Sequence, residues 1–455
     1  MNGEIPMKKK ALLAVLLAMT LLLSSCALVV KDPEVDAKSV ILKMGDKEIT
    51  KAEVQAETNE VLYNMYVQYQ TYYGYTLDVT NKDVIADAQS TAVENLKRDM
   101  ALEAKAAELG FDQLTEEDLA HVQEHIESDK ESARSYIKIY GLVDDTLEGE
   151  ELEKATLEQM EALGATDENL EKLARNEVIM DKLQDSVTSA VTVSDDEVKA
   201  DYDSKVAADE EKYKENLASW ASADRNGTRL YYAPEGVRRV KQILLKFKSD
   251  DQTAIDDAKA KVTDASTKIS DAQKIIDDEE AAAEDKAKAE EDKKAAEAEL
   301  ETAQAAVKEA TDKAFANLDE DADALLASLK EDPESWDKLQ EEKNEDPGMK
   351  PGAVNAEKGY AVFSGMTDFD SAFVDAAMGL AAIGDTSDKI RGESYGYYVI
   401  KYVGDVTPGA VDYESVKDTL HDSLLSSRQS DTWNTTVDTW IKEAGIKEDL
   451  GALKD

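Results

Sequence analysis

The sequence predicts an α+β protein in which a mainly helical lobe is joined to a smaller mixed domain that carries an inserted antiparallel helical hairpin. Helix-capping pairs and helical spacing of apolar residues dominate residues 40–222. Two later segments, 240–247 and 395–403, are rich in β-branched and aromatic residues and are predicted strands. No glycine lies between Gly236 and Gly348, so very long helices are permitted in that interval.

The composition limits the classes of function. The chain has 455 residues, enough for two or three domains at about 100–200 residues each. Its 53 basic and 99 acidic residues give a net charge of −46, and a field of that sign repels phosphate backbones, so we expect no nucleic-acid partner. One Cys and three His leave no disulfide framework and few metal ligands, and we expect neither a metal nor a cofactor.

The N-terminus has the features of a secretion signal. Lys8–Lys10 precede the apolar run Ala11–Leu23, which is too short to span a hydrocarbon layer of about 30 Å but suits a signal-peptide core. The following Leu-Ser-Ser-Cys, ending at Cys26, resembles the bacterial lipobox, which implies cleavage before Cys26 and a lipid on its sulfur. We therefore expect a signal peptide over 1–25, a tether over 26–39 and an extracytoplasmic, membrane-anchored protein. The alternative is a conventional signal peptide with an incidental Cys.

Capping pairs indicate where helices begin in the helical region, after a short hairpin over 40–49 whose turn is Gly-Asp. In each pair a Ser or Thr is followed three residues later by an acidic residue, so that each side chain satisfies a backbone N–H of the other. The pairs are Thr50 with Glu53, Thr80 with Asp83, Thr115 with Asp118 and Ser194 with Glu197.

The helix that follows Thr50 is rich in tyrosine and leads to Tyr-Tyr-Gly-Tyr at 72–75. Tyr63, Tyr66 and Tyr69 share broadly helical spacing. Exposed tyrosines would offer a surface for binding peptides, whereas buried ones would be core and rim packing. Both interpretations stay open at the level of sequence.

A seven-residue repeat in the middle of the chain predicts two helices that pack against each other. Alanines occur three positions from the aliphatic residues, and such a seam needs a close partner helix. We predict an antiparallel hairpin over 253–318, with a turn within 277–289; low-complexity disorder is the alternative. The first arm repeats Ile255, Val262, Ile269 and Ile276 with Ala258, Ala265 and Ala272, and the second repeats Leu300, Val307 and Ala314 with Ala296, Ala303 and Ala310.

The order of short motifs in the later part of the chain resembles a parvulin-type (PpiC) rotamase domain. The motifs are Val-x-x-Ile-Leu-Leu from Val240, Glu-Asp-Pro-Gly at 345–348, Gly-Met at 365–366 with Phe-x-Asp-Ala-Ala from Phe373, Ile-Gly-Asp at 383–385, and Tyr-Gly-Tyr-x-Val-Ile-Lys over 395–401. The flanks, Gly-Asp-Lys-x-Ile-Thr over 45–50 and Val-Ser-Asp-Asp-Glu-Val over 193–198, resemble secreted foldases of the PrsA/SurA type.

This resemblance implies a domain organisation and a function. The domains would be an N-terminal helical chaperone domain, 40–232; a parvulin-like domain, 233–405, with the hairpin 253–318 inserted; and a C-terminal helical segment, 406–455, packing on the N-terminal lobe. The protein would be a membrane-anchored foldase, a peptidyl-prolyl cis–trans isomerase and chaperone whose partners are unfolded or folding secreted polypeptides. The alternative is a non-catalytic holdase or scaffold lipoprotein with a degenerate parvulin domain. The sequence indicates no particular oligomeric state.

A rotamase needs no covalent chemistry. Rotation about an X–Pro bond crosses a barrier of about 18–20 kcal/mol set by amide resonance. A pocket that grips the proline ring and dry polar groups that favour the twisted amide are sufficient. By similarity, Met366 and Phe373 would line the proline pocket, with Met378 packing behind or beside it, and Asp346 would be the acidic group of the site.

The two histidines of the family's site are replaced here, by Gln242 and Tyr398. Both side chains donate and accept hydrogen bonds, so the resemblance implies a catalytic network of Gln242, Tyr398 and Asp346. Such a network lacks the proton equilibrium of histidine near neutral pH. Two alternatives are compatible with this replacement. Either the isomerase activity is attenuated, or the fold is retained only for peptide binding.

One further motif has the form of a zinc-peptidase signature. His121, Glu124 and His125 fit H-x-x-E-H, in which two His four residues apart on a helix hold zinc. Acidic residues are abundant in this chain, so the pattern arises easily by chance. We interpret the motif as a solvated helical face.

Overall fold

The computed structural model describes residues 33–453 except Asp145 and Glu393. The predicted signal peptide and Cys26 lie outside the described residues. The chain divides into two compact units, here called the helical unit (Met1–Val193 with Asp422–Asp455) and the mixed unit (Ser194–His421). Helices predominate and the sheets are small and antiparallel, which confirms an α+β fold with a helical lobe.

The helices of the helical unit begin at caps that the sequence makes recognisable. Reciprocal capping boxes form at Thr50 with Glu53 and at Thr115 with Asp118, as predicted. At the second helix the cap is Asn81 instead of Thr80, because the Asn81 side chain accepts from the N–H of Asp83 at 2.8 Å. The helices are α1 (Pro33–Ala37), α2 (Lys51–Tyr73), α3 (Lys82–Leu109), α4 (Glu116–Ile139), α5 (Gly149–Ala162) and α6 (Asp167–Thr188).

A three-stranded sheet and the C-terminal helix complete the core of the helical unit. The strands β1 (Val40–Met44) and β2 (Lys47–Thr50) pair antiparallel, and the C-terminal strand β9 (Lys447–Glu448) pairs with β1. The helix that precedes β9 presents the fully buried Val437 to the α3 and α6 residues Leu102 and Leu183. The part of the C-terminal segment from Asp422 onward therefore belongs to this unit.

The mixed unit contains a four-stranded antiparallel sheet in the order β5-β4-β7-β6, and a separate two-stranded pair, β3 with β8. Ser194 and Glu197 form the predicted capping box at its first helix. The strands are β3 (Tyr232–Ala233), β4 (Arg238–Lys246), β5 (Tyr360–Val362), β6 (Ile390–Arg391), β7 (Gly396–Asp405) and β8 (Gly409–Ala410). The helices are α7 (Asp195–Tyr213), α8 (Leu217–Arg225), α9 (Ser249–Asp277), α10 (Ala283–Ala316), α11 (Asp319–Glu331), α12 (Trp336–Lys343), α13 (Val354–Lys358) and α14 (Ser371–Gly379). The last helix, α15 (Lys417–Glu443), begins in this unit and belongs to the helical unit from Asp422 onward.

Both faces of the central strands β4 and β7 are buried, because alternate residues of a strand point to opposite faces. Leu244 packs in one core together with Phe373, and its neighbour Leu245 packs in the other together with Trp336. The two strands pair over their whole length, with Gln242 opposite Ile400 and Leu244 opposite Tyr398. This pairing brings the first and last motifs of the predicted site side by side.

The long helices α9 and α10 run antiparallel along each other. Lys268 forms an ion pair with Glu299 at 2.8 Å, and Lys293 donates to Gln273 at 2.7 Å. Alanines occupy the seam, whereas the aliphatic repeat residues Val262, Ile269 and Ile276 are half-buried at its edge. The small side chain of alanine allows the two helix backbones to approach closely. Two helices without a third neighbour bury only a narrow stripe of each other's surface, so the larger residues beside that stripe stay half-buried. The buried alanines are Ala258, Ala265, Ala272, Ala289, Ala296 and Ala303.

Between residues 33 and 453, leaving out 145 and 393, every helix is too short or too polar to cross a membrane.

Candidate functional site

A cavity of about 270 Å³ opens on one face of the mixed sheet. Strands β4, β5 and β7 provide its floor, and α14 and the turn that follows α12 provide its sides. Four of the predicted site residues, Gln242, Asp346, Phe373 and Tyr398, lie together in its lining. The full lining is Gln242, Leu244, Lys246, Asp346, Pro347, Tyr360, Phe369, Asp370, Phe373, Tyr395 and Tyr398.

The turn that carries Asp346 is fixed to β4 by the buried Asn344. Its side-chain oxygen accepts from the backbone N–H of Leu244 at 3.0 Å and from that of Asp346 at 3.1 Å. Its side-chain nitrogen donates to the carbonyl oxygen of Asp346 at 3.1 Å. One amide thus holds the backbone of Asp346 in place and determines where its carboxylate lies.

The carboxylate of Asp346 accepts three hydrogen bonds. Gln242 Nε2 and the Tyr360 hydroxyl donate to Oδ2 at 2.7 Å and 2.9 Å, and the Gly348 N–H donates to Oδ1 at 2.9 Å. Hydrogen bonds to an ionised acceptor are about twice as strong as those between neutral groups. All three donors are neutral, and no ion pair to Asp346 occurs within the described residues, so its charge is oriented but not cancelled.

Gln242 has a second polar atom in the site. The side chain is 6 % exposed, and among the described residues its Oε1 has no hydrogen-bond partner. A buried acceptor without a donor costs about 1–3 kcal/mol. A ligand that donates a hydrogen bond to Oε1 would recover that energy.

Tyr398 and Tyr360 share the polar part of the cavity. Burial, followed by the charge of Asp370, the nearby Tyr395 and the charge of Asp346, raises the pKa of Tyr398. Burial, the charge of Asp346 and the hydrogen bond to it raise the pKa of Tyr360. Both hydroxyls are therefore protonated at neutral pH, and that of Tyr360 donates to Asp346.

The network differs in one member from the expected one. Tyr398 lies in the cavity, but the tyrosine hydroxyl that donates to Asp346 belongs to Tyr360. Tyr360 belongs to none of the sequence motifs of the predicted site. The signal that would have found it is its position in the short strand β5, where it pairs with Val240 on β4, two residues from Gln242.

Aromatic rings form the apolar wall. The ring of Phe373 lies 5.3 Å from that of Phe369 and 5.3 Å from that of Tyr398. Met366 is buried in the core around Phe373, and Met378 is half-buried against that core, so neither belongs to the lining where the resemblance placed Met366. Phe369 occupies the wall instead, since the loop before α14 brings it to the cavity while Met366 points into the core.

Two glycines make room for the tyrosines. A Cβ at Gly348 would lie 2.0 Å from the Tyr360 hydroxyl oxygen, and a Cβ at Gly392 would lie 2.3 Å from the Tyr398 ring. These distances are far shorter than any van der Waals contact. Both glycines are therefore required by the positions of the two tyrosine side chains.

The H-x-x-E-H motif forms no metal site. His121 pairs with Glu124 at 3.1 Å, whereas His125 pairs with Glu177 of α6 at 3.1 Å. Over the described part of the chain, no group of three or more His, Cys, Asp or Glu is arranged to hold a metal ion. The motif occupies a helical face on which the two histidines contact different glutamates.

The tyrosines of α2 divide between core and surface. Tyr66 is buried, whereas Tyr72 and Tyr73 are 76 % and 63 % exposed, and Tyr75 beyond the helix end is also exposed. The rings of Tyr69, Tyr73 and Tyr75 lie 5.3–5.9 Å from one another. Tyr69, Tyr72, Tyr73 and Tyr75 are called the tyrosine patch below.

No protein-family model matches the chain, and no curated protein matches it significantly. Solved structures are similar to it. The SurA-like chaperones PEB4 and Cj1289 of Campylobacter jejuni are represented by a structure that is 16 % identical, with a TM-score of 0.24 over 70 % of this chain and 94 % of that chain. The peptidylprolyl isomerase PrsA of Bacillus anthracis is 15 % identical, with a TM-score of 0.17 over 58 % and 96 %. The foldase protein PrsA of Streptococcus pneumoniae is 13 % identical, with a TM-score of 0.22 over 91 % and 98 %.

Proposed function

We propose that this protein is an extracytoplasmic, membrane-anchored foldase that catalyses peptidyl-prolyl cis–trans isomerisation in the cavity of its mixed unit. One observation carries the proposal. An oriented carboxylate, Asp346, and two protonated tyrosine hydroxyls face an apolar wall of Phe369 and Phe373 across a small cavity. An apolar ring held beside fixed polar groups is what rotation about an X–Pro bond requires.

Each residue of the cavity has a separate role in catalysis. Phe369 and Phe373 hold the pyrrolidine ring, so that the acyl half of the amide turns against a fixed proline. The Tyr398 hydroxyl donates to the carbonyl oxygen, whose orientation changes during rotation. Gln242 and Tyr360 hold the carboxylate of Asp346 in place. Its negative charge polarises the bound amide, and the carboxylate itself is chemically unchanged. Since no bond is made or broken, preorganised polar groups and removal of water supply the rate enhancement.

The proposal includes the finer organisation implied by the resemblance. Residues 233–405 form the parvulin-like domain with 253–318 inserted as a helical hairpin, and 40–232 with 406–455 form the chaperone part. The lipobox-like sequence supports a signal peptide over 1–25 and a lipid on Cys26. Labelling cells with an alkyne-tagged fatty acid tests the anchor: the wild-type chain becomes labelled and Cys26→Ser does not, and labelling of both would overturn it.

Refolding of a client whose slow phase is limited by proline isomerisation tests the activity. The chain without residues 1–26 should accelerate that phase, and Asp346→Ala should reduce kcat/KM by about tenfold, which is 1.4 kcal/mol. Asp375→Ala is a matched control, because Asp375 is an exposed aspartate of α14 outside the cavity lining. Absence of acceleration by the unsubstituted chain would contradict the proposed function.

The second candidate function is that of a holdase, which binds unfolded chains without catalysis. The tyrosine patch favours it, because clustered exposed aromatic rings are typical of surfaces that bind other polypeptides. Its occupant would be an unfolded secreted polypeptide with exposed apolar side chains. Suppression of aggregation without acceleration of proline-limited refolding would select this function.

A further inference from the structure

Gln242 is a polar residue on an otherwise apolar face of β4. Its neighbours on the same face of the strand, Val240 and Leu244, are both buried in the core around Phe373. The side chain of Gln242 is itself 6 % exposed, and it lines the cavity. A buried amide is normally paired at both its donor and its acceptor end, because an unpaired end costs free energy. At Gln242 only the donor end is paired.

Asp346 determines which end of the Gln242 amide is paired. A carboxylate accepts hydrogen bonds and does not donate them, so the nitrogen Nε2 must face it, at 2.7 Å from Oδ2. Oε1 is therefore the end that is left over, and within the described residues it has no hydrogen-bond partner. Exchanging the two ends of the amide would place Oε1 against the carboxylate, oxygen against oxygen. The cavity thus contains an acceptor that is fixed in orientation and lacks a donor.

A bound X–Pro segment has two backbone donors near the proline. The X–Pro bond itself supplies none, because the proline nitrogen carries no hydrogen. The candidates are the N–H of X and the N–H of the residue that follows proline, here called residue Z. Under the proposed function, Phe369 and Phe373 hold the pyrrolidine ring while the acyl half, which contains X, turns. The N–H of Z is attached to the half that is held, so a hydrogen bond to it persists throughout the rotation.

We propose that Gln242 Oε1 accepts the backbone N–H of residue Z, so that the cavity selects X–Pro–Z segments in which Z is not itself proline. This inference rests on the proposed function, because it names the substrate class of the same cavity. A hydrogen bond to the held half stabilises the ground state and the transition state equally. Such uniform binding lowers KM and leaves kcat unchanged. Gln242 therefore determines specificity in addition to holding Asp346.

Depsipeptides test the inference, because each replaces one N–H with an ester oxygen. The reference peptide is acetyl-Ala-Ala-Pro-Ala-amide. The Z-ester has lactic acid in place of the alanine after proline, and the X-ester has lactic acid in place of the alanine before it. NMR titration gives the dissociation constants, and exchange NMR gives the isomerisation rate at saturation relative to the uncatalysed rate of the same peptide. We expect the Z-ester to bind about tenfold more weakly than the reference, with an unchanged relative rate at saturation. The X-ester should bind like the reference.

Gln242→Met assigns the effect to this side chain. Methionine has a similar length, and its thioether is only a weak acceptor, so this variant should bind the reference and the Z-ester equally well. Tyr360→Phe is the matched control, because it also removes a hydrogen bond to Asp346 but leaves Oε1 in place. The ratio of the two affinities should stay at about tenfold in this control.

Three outcomes would overturn the inference: equal binding of the reference and the Z-ester by the unsubstituted chain, weaker binding of the X-ester instead, or a preference that survives Gln242→Met. Failure of the proposed function has a different signature. In that case the reference still binds more tightly than the Z-ester, but no peptide isomerises faster than it does without protein. Accelerated isomerisation with equal affinities for the reference and the Z-ester would retain the function and refute the role of Gln242 in specificity.

Discussion

Aromatic side chains line the cavity of the mixed unit and crowd the surface of the helical unit, but they are enclosed in the first place and exposed in the second. In the cavity, Phe373 and Tyr398 are almost fully buried around an oriented carboxylate. In the tyrosine patch, Tyr72 and Tyr73 project into solvent. Enclosed rings select a ligand by shape, whereas exposed rings bind a range of apolar segments. We therefore propose catalysis for the cavity and retention of unfolded chains for the patch.

The two regions also differ in how the sequence builds them. The cavity needs residues from positions 242, 346, 360, 373 and 398, which only the folded sheet brings together. The patch comes from one helix end, over 69–75. Substitutions in the scaffold of the mixed unit should therefore abolish the function of the cavity, and substitutions in the patch should change little besides the patch itself.

The largest effect is expected at Asp224, which is buried at the base of the mixed unit. Arg239 donates to its carboxylate at 2.7 Å and Lys358 lies at 3.0 Å; burial by itself would raise the pKa of Asp224, but these two cations hold it below its ordinary value. Asp224→Ala removes the carboxylate that pairs with both cations and leaves them only backbone carbonyl acceptors, so it should lower the free energy of unfolding by about 3–5 kcal/mol.

Urea unfolding followed by tryptophan fluorescence measures the free energy of unfolding of the mixed unit. Trp220 and Trp336 report on the mixed unit once Trp433 and Trp440 of the helical unit are replaced by phenylalanine. Asp375→Ala, on the exposed side of α14, is the control. A loss below about 1 kcal/mol, the range of exposed ion pairs, would show that the buried pair does not hold the scaffold.

Phe373→Ala should separate the cavity from its scaffold when it is compared with Val374→Ala. Both side chains are buried on α14, but only Phe373 belongs to the cavity lining. Phe373→Ala should cost about 3–5 kcal/mol of stability and at least about tenfold in kcat/KM. Val374→Ala should destabilise the fold without lowering the turnover of the folded fraction. Equal turnover in the two variants would remove Phe373 from the proline site.

Tyr360→Phe tests the hydrogen-bond donor that lies outside the sequence motifs. It removes the hydroxyl that donates to Asp346 and leaves the ring packing of β5 in place. A hydrogen bond to a charged group contributes about 1.5–3 kcal/mol, so turnover should fall by about tenfold or more if the orientation of Asp346 matters. Tyr402→Phe is the matched control, since its hydroxyl bonds to Asp405 outside the cavity lining. Unchanged kcat/KM in Tyr360→Phe would show that Asp346 needs no help from Tyr360.

The pH dependence should differ from that of a histidine site. Burial and nearby carboxylates raise the pKa of Tyr360 and Tyr398 above the ordinary value near 10. Neither group ionises between pH 6 and 9, so kcat/KM should stay within about twofold there. Above pH about 10 the unfolded chain loses these protons first, so the free energy of unfolding of the mixed unit should fall. A sigmoidal change in kcat/KM near pH 6.5 would contradict this assignment.

The smallest effect is expected from the double substitution Tyr73→Ser with Tyr75→Ser in the tyrosine patch. Exposed positions of this kind change the free energy of unfolding by about 0.5 kcal/mol or less. Isomerisation of short peptides should be unaffected, and suppression of the aggregation of an unfolded client should weaken. If aggregation is suppressed as well as before, the patch is not the surface that holds clients.

Local signals in the sequence predicted more of the fold than long-range ones. Capping boxes at Thr50 and Ser194 formed as expected, because they depend on four consecutive residues. Asn81 replaced Thr80 as a cap, since two neighbouring residues both had suitable side chains and the chain used the second. In α9 the alanines are buried in the seam while Val262, Ile269 and Ile276 stay half-buried, because the depth of the seam depends on how closely the two helices approach.

The candidate site was predictable as far as motif order determined it. The motifs named Gln242, Asp346, Tyr398 and Phe373, and these residues line one cavity. Whether a side chain lines a cavity or fills the core depends on packing that no motif records, which is why Met366 lies in the core. Tyr360 joins the hydrogen-bond network because β5 pairs with β4 in a particular register. That pairing joins segments far apart in the sequence, so no local motif records it. The roles of all these residues stay predictions.

Exchange NMR on an X–Pro peptide, with the protein at a hundredth of the peptide concentration, tests the central claim most directly. The chain without residues 1–26 should produce cis–trans exchange cross-peaks within seconds, where the uncatalysed reaction takes tens to hundreds of seconds. Asp346→Ala should lower that exchange rate by about tenfold and Asp375→Ala should leave it within twofold. Exchange at the uncatalysed rate in the presence of folded, unsubstituted protein would contradict the account and leave the tyrosine patch as the functional surface.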